Sequence, residues 1–145
     1  MSVLEVKISS EEVAKSLENA PAKYKKACGK GLRRSGRYVR DRIRRYIKDP
    51  PKTGIKHDDL PNRSSKRGES PAYQSGDLWK SIQYQLHSWD RMEVGSDDSE
   101  KYGSVRYALS LETYMNRPYI KRAVRDTYDT VLNLLQLSVD EELSR

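Results

Sequence analysis

Between Pro21 and Lys48 the chain carries a charge pattern that leaves the backbone little choice. Placed at 100° per residue, Tyr24, Ala27, Cys28, Gly31, Leu32, Ser35, Tyr38, Val39, Ile43 and Tyr46 share one face. Lys23, Lys26, Lys30, Arg33, Arg37, Arg40, Arg44 and Lys48 share the opposite one. Only a helical repeat separates the two sets so cleanly, so the spacing predicts one amphipathic helix over residues 21–48, about 42 Å long. Pro21 suits its first position, and Asp49-Pro50-Pro51 stops it. Arg42 breaks the pattern by falling in the middle of the apolar face. An unpaired buried charge is costly, so Arg42 is expected to meet a carboxylate or to reach past an edge.

The other elements follow from shorter signals. Val3, Leu4, Val6 and Ile8 read as a strand. Ser9 and Ser10, followed by Glu11 and Glu12, read as the capped start of a helix near residue 10 that pauses at Pro21. Residues 49–74, with Pro50, Pro51, Gly54, Pro61, Gly68 and Pro71, show neither period; such a long polar loop is functional or disordered. Within 81–87, Ile82, Tyr84 and Leu86 alternate with polar residues, and Met92–Gly95 reads as the hairpin partner across a turn at Ser88–Arg91. Tyr102–Leu111 reads as a third strand. Arg117-Pro118 opens a last helix with Ile120, Ala123, Val124, Thr127, Tyr128, Val131, Leu134, Leu135 and Ser138 on one face.

This order predicts an α+β fold: a small antiparallel sheet of three or four strands packed against two long helices, with a long polar loop. One domain spans 1–145, with an N-terminal strand and basic helix at 1–48, the extended loop at 49–74, the sheet at 75–115 and the C-terminal helix at 117–143. No internal repeat is visible.

Composition adds a constraint on partners. The 145 residues are 35% hydrophobic and 34% charged, with a mean hydropathy of −0.93, no Phe and ten Tyr. So polar a chain has much surface for its core, and some of it is expected to be covered in an assembly. The net charge of +7 is uneven: residues 1–50 hold 14 basic and 6 acidic side chains, a balance of +8, and the remainder sums to −1. That asymmetry points to an anionic partner, either nucleic acid or an acidic protein face. Cys28 is the one cysteine, so no intrachain disulfide forms, as suits a reducing compartment. No apolar run has membrane-spanning length, and Met1–Lys7 lacks the pattern of a secretory leader; no membrane association and synthesis in the cytoplasm are expected.

Residues able to do chemistry are few. His57-Asp58-Asp59 is the nearest thing to a cation site, and three adjacent residues on a loop rarely converge on one ion. Cys28 lies on the apolar face with no histidine predicted beside it, which reads as a small buried hydrophobe and not a nucleophile. Ser75-Gly76-Asp77 is no nucleophile elbow, and no phosphate-binding glycine loop occurs. The expectation is a protein without catalytic residues, metal or cofactor. The basic stripe is the strongest functional signal. It reads as an interface with protein, as a track for phosphates, or as a solvated face, and no sequence-specific DNA- or RNA-binding motif accompanies it.

From residue 73 onward the chain resembles a family. Tyr73-Gln74-Ser75-Gly76-Asp77-Leu78-Trp79-Lys80-Ser81-Ile82 is similar to the Thr/Ser-Gly-x-Leu-x-x-Ser-Ile segment of small head–tail connector, neck and tail-completion proteins of long-tailed bacteriophages, including minor tail proteins of the Z type. Val94-Gly95, Tyr107-Ala108 with Leu111-Glu112, and Arg117-Pro118-Tyr119-Ile120 followed by Ala123 resemble its later motifs in the same order. Thr113-Tyr114 replaces the usual Gly-Thr, and Arg122 stands where a second proline is common. The resemblance implies a virion protein at the head–tail junction, forming a homo-oligomeric ring, a hexamer or dodecamer, around the DNA channel. Its implied partners are other neck and tail proteins (connector or stopper, tail terminator or tube), with possible non-specific contact with packaged DNA. Gly76, Leu78, Ser81, Ile82, Gly95, Tyr107, Glu112, Arg117, Pro118 and Ala123 are then structural motif residues, with Glu112 and Arg117 close enough to pair. The loop 49–74 is expected to order on meeting a neighbour. The alternative reading is a non-specific nucleic-acid-binding protein using the basic helix 23–48.

Overall fold

The computed structural model describes residues 2–7, 21–97, 99, 101 and 107–145. The strand β1 (Ser2–Lys7) is followed by the long helix α1 (Ala22–Lys48), the single-turn helix α2 (Asp77–Ser81), the hairpin β2 (Ile82–Ser88) and β3 (Arg91–Ser96), the short helix α3 (Ala108–Glu112) and the long helix α4 (Ile120–Leu143). The class is α+β, as the pattern predicts. The sheet is antiparallel with order β1-β3-β2, so the N-terminal strand pairs with the far side of the later hairpin. A bulge lies between Leu86 and Ser88, and the turn falls at Trp89-Asp90.

α1 is the central element, and it buries more than the single face read from the wheel. Gly29, Gly36 and Ile47 are buried together with Ala27, Gly31, Leu32, Ser35, Val39 and Ile43. Two close approaches explain why. A Cβ at Gly36 would sit 2.4 Å from Met92 Sδ and 2.7 Å from the Tyr84 ring, so the sheet lies directly against the backbone there. A Cβ at Gly31 would sit 3.2 Å from Leu135 Cα, so α4 also crosses α1 closely, on another flank. The core joins Leu32, Val39, Ile43 and Ile47 of α1 to Ile82, Met92 and Val94 of the hairpin and to Ala108, Leu111, Tyr119 and Ala123. Tyr119 is fully buried; its hydroxyl donates to Ala108 O at 3.2 Å, which satisfies the one polar atom that burial would otherwise strand.

Several boundaries differ from the sequence reading. The expected strand at 102–111 is replaced at its described end by α3, because Ala108 and Leu111 face the core three residues apart, which is a helical spacing. Residues 102–106, Ile8, and the capped helix start at Ser9, Ser10, Glu11 and Glu12 lie outside the described residues. The last helix begins at Ile120 and not at Arg117. The segment read as sheet over 75–115 contains the helix α2, which Gly76 allows by taking φ +91°, a conformation that disfavours side chains with a Cβ.

Within the loop 49–74 many polar groups find partners inside the chain. Glu69 accepts from Thr53 N at 3.2 Å, Thr53 Oγ1 at 2.5 Å and Lys66 N at 2.8 Å. Gly54 N donates to Ser64 O at 2.9 Å, Ser64 N donates to Ile55 O at 3.0 Å, Asn62 and Gln74 bond reciprocally, and Gly68 N donates to Asn116 O at 2.6 Å. Arg122 closes the far end by donating to Gly68 O and Ser70 Oγ. The lack of periodicity marked irregular backbone whose polar groups are satisfied by side chains.

Candidate functional site: the basic helix and the motif segment

The eight basic residues predicted as one stripe are divided by the fold into three groups. At the start of α1, Lys26 pairs with Glu142 and Lys30 with Glu141, each at 3.0 Å; Arg34, outside the predicted stripe, adds a third pair to Glu141 at 3.0 Å. The Arg34 bond and the Lys26 bond are the leading reasons that the Glu141 and Glu142 carboxyls are held below the usual carboxylate range. These contacts fasten the two long helices at one end.

At the other end the cations lie over aromatic rings. The Arg40 guanidinium is 5.5 Å from the Tyr84 ring centre and also bonds Asp41. Arg44 is 4.3 Å from the Trp79 ring and donates to Ile82 O at 3.0 Å. Lys48 sits 4.8 Å from Trp79 and 5.1 Å from Tyr73, and those two rings meet edge to face at 6.5 Å. These residues of the predicted stripe thus have partners within the subunit, with ring quadrupoles serving as counter-charge to Arg44 and Lys48, although Lys48 stays exposed. Lys23, Arg33 and Arg37 form the third group: they are exposed and make no hydrogen bond or ion pair among the described residues. Arg42 reaches the Tyr38 hydroxyl at 3.4 Å in place of a carboxylate; the nearby Asp126 instead accepts from the Tyr46 hydroxyl.

The motif residues converge on the joints of the fold. Ser81 and Ser96 are fully buried and bond each other through their hydroxyls at 2.8 Å, and Ser81 Oγ also donates to Leu78 O at 2.7 Å. Asp97 N donates to Ser81 O at 2.7 Å. Leu78 and Ile82 are buried beside them, and Gly95 stands in register between Val3 and Gln83. Tyr107 remains half exposed at the start of α3. Pro118 O accepts from Ser70 Oγ at 2.9 Å, and Ala123 is fully buried in the core.

Glu112 does not pair with Arg117, as the sequence reading expected. Its carboxylate accepts from Tyr119 N at 2.9 Å, Ile120 N at 3.1 Å and Lys121 N at 3.0 Å. α4 has no capping side chain adjacent to its start, so this carboxylate, arriving from the end of α3, satisfies the orphan donors and meets the positive end of the helix dipole. The seven-residue gap between Glu112 and Tyr119 falls outside the local capping signatures, so sequence spacing does not reveal it.

The remaining candidates stay apart. His57, Asp58 and Asp59 are exposed on a turn, and among the described residues no three His, Cys, Asp or Glu side chains gather as metal ligands would. Burial, then the charge of Asp90, raises the Cys28 thiol, away from the thiolate a nucleophile needs. His87 Nε2 meets Glu93 Oε2 at 2.9 Å, a pairing the sequence did not signal because the bulge sets it. Among the described residues no helix is long and apolar enough to cross a membrane. No protein-family model, curated protein or solved structure matches the chain.

Proposed function

We propose that the chain is a structural virion protein that joins head and tail in a long-tailed bacteriophage, as a neck or tail-completion ring around the DNA channel. The observation that carries this reading is the ordered run of motifs over residues 73–123. Each of these motif positions has a folding role: a turn at Gly76, a serine pair at the root of the hairpin, a carboxylate cap at Glu112, and at Pro118, just before the last helix, a carbonyl that accepts from Ser70. Motifs devoted to joints suit a protein that acts by holding shape and presenting surfaces. The ring is six- or twelve-fold, its neighbours are the connector or stopper on one side and the tail terminator or tube on the other, and DNA passes through its lumen. The hydrogen bonds that the loop 49–74 makes within the subunit support docking through preformed surfaces.

Mass spectrometry of purified particles tests the reading first, and the protein is expected in the neck or tail fraction. Negative-stain images of the pure protein, alone or added to isolated heads and tails, are expected to show rings or attachment at the junction. Absence from particles overturns the proposal. A second reading, non-specific binding of nucleic acid, draws on Lys23, Arg33 and Arg37, which form an exposed cationic edge without partners among the described residues. Filter binding across a salt series separates the two, because phosphate contacts give a steep loss of affinity with salt.

A further inference from the structure

A half-open cavity of about 210 Å³ lies where the long loop, the end of α1, α2 and α3 meet. Ile47, Pro71, Leu78, Trp79 and Leu111 supply its apolar wall, and among the described residues Arg117 is the one charged residue lining it. Arg117 is only half-buried, but its Nε is buried with no hydrogen-bond partner among the described residues, and its Nη1 meets the Met115 sulfur at 3.9 Å. The carboxylate nearest in sequence, Glu112, is committed to the N–H groups of α4. A buried donor left unmet is costly, and a partner arriving at the cavity mouth would relieve it.

The size narrows the ligand. Pockets for nucleotides and cofactors start near 300 Å³, so this one holds about a single large side chain. We propose that the cavity receives one apolar side chain from a neighbouring polypeptide, whose adjacent residue places a carboxylate on Arg117. The occupant is a segment of another virion protein, an apolar–acidic pair, and the argument is charge complementarity: a guanidinium with an unmet Nε at the rim of an apolar hole that has no carboxylate in its wall among the described residues. The assignment rests on the reading that this chain works by presenting surfaces to neighbours.

The test uses the full chain and two capped tetrapeptides, N-acetyl-Gly-Leu-Asp-Gly-amide and the version with Asn in place of Asp. Binding is followed by the indole N–H resonance of Trp79, which lines the cavity. The acidic peptide is expected to bind about tenfold tighter than the neutral one, as a charge-assisted hydrogen bond implies. Arg117→Gln should reduce the acidic peptide to the neutral one's affinity and leave the neutral peptide unchanged. Its melting temperature should hold or rise, because an unmet buried donor is removed, whereas a purely structural arginine would lower it. Equal affinities, an unmoved Trp79 resonance or indifference to Arg117→Gln each overturn the proposal. So does an Arg117-dependent dimer of the pure protein with no peptide effect, which assigns the cavity to a second copy. Should particles lack the protein while the acidic peptide binds through Arg117, the junction reading falls and the cavity stands. The opposite pair of results removes the cavity alone.

Discussion

Replacing Glu112 with alanine removes three acceptor contacts at once, and the loss is calculable from the geometry. Tyr119 N, Ile120 N and Lys121 N donate to its two oxygens at 2.9, 3.1 and 3.0 Å, and these are among the first N–H groups of α4, which have no partner within the helix. Loss of an ordinary N-cap costs about 0.5–2 kcal/mol, and hydrogen bonds to a charged group are worth about 1.5–3 kcal/mol. Water reaches part of the site and recovers some of this, so Glu112→Ala is expected to cost about 2 kcal/mol. For a chain of this length that lowers the melting temperature by roughly 8 °C. Glu112→Gln retains one acceptor oxygen and loses the interaction of the charge with the helix dipole, so it is expected to fall about midway. Circular dichroism at 222 nm under heat or urea gives both numbers. Hydrogen exchange localises them, since the amides of residues 119–121 should lose protection before the rest of α4. An alanine variant within about 0.5 kcal/mol of wild type, with those amides still protected, would refute the idea that Glu112 organises this joint.

Further outcomes follow from close contacts and charges. Gly36→Ala should destabilise by about 1–2 kcal/mol in urea titrations, because overpacking against Met92 and Tyr84 outweighs the gain in helix propensity; Gly29→Ala, whose Cβ would stand 3.9 Å from its nearest neighbour, should have the opposite sign. The Thr53 hydroxyl, first among its partners, pushes the Glu69 carboxyl down to about 2, so its support of the loop is complete above the unfolded value of about 4.3 and is lost as the pH falls toward 2. Amide exchange at Thr53 and Lys66 should therefore accelerate across that window in wild type, and Glu69→Gln should abolish the pH dependence. Arg33→Ala with Arg37→Ala should weaken assembly or junction attachment and leave the unfolding free energy within about 0.5 kcal/mol of wild type. Arg44→Ala, which removes a cation from the Trp79 ring and a bond to Ile82 O, should cost about 1–2 kcal/mol and shift the tryptophan emission.

The amphipathic run 21–48 and the alternation at 82–86 were sufficient to place α1 and the hairpin. Both rest on periodicity, which is local and survives in any context where one face is buried. The class followed from the order of elements. What the pattern left open was decided at distances it does not encode. α1 touches the sheet on one flank and α4 on another, so Gly36 and Gly31, with no side chain to weigh in a hydrophobic pattern, set its two closest approaches. The basic stripe looked uniform because charge alone was read; tertiary contacts assign Lys26 and Lys30 to Glu142 and Glu141, give Arg44 and Lys48 to Trp79, and leave Lys23, Arg33 and Arg37 without such partners among the described residues. Glu112 was visible as a motif residue, but its role as the cap of α4 needs the chain to turn through residues 113–118 before carboxylate and donors meet. Local sequence determines which segments coil and which extend, since those preferences act within a turn or a strand pair. The choice of partner for each charge and each orphan donor belongs to the tertiary structure, because it depends on which surfaces the packed core brings within about 3 Å.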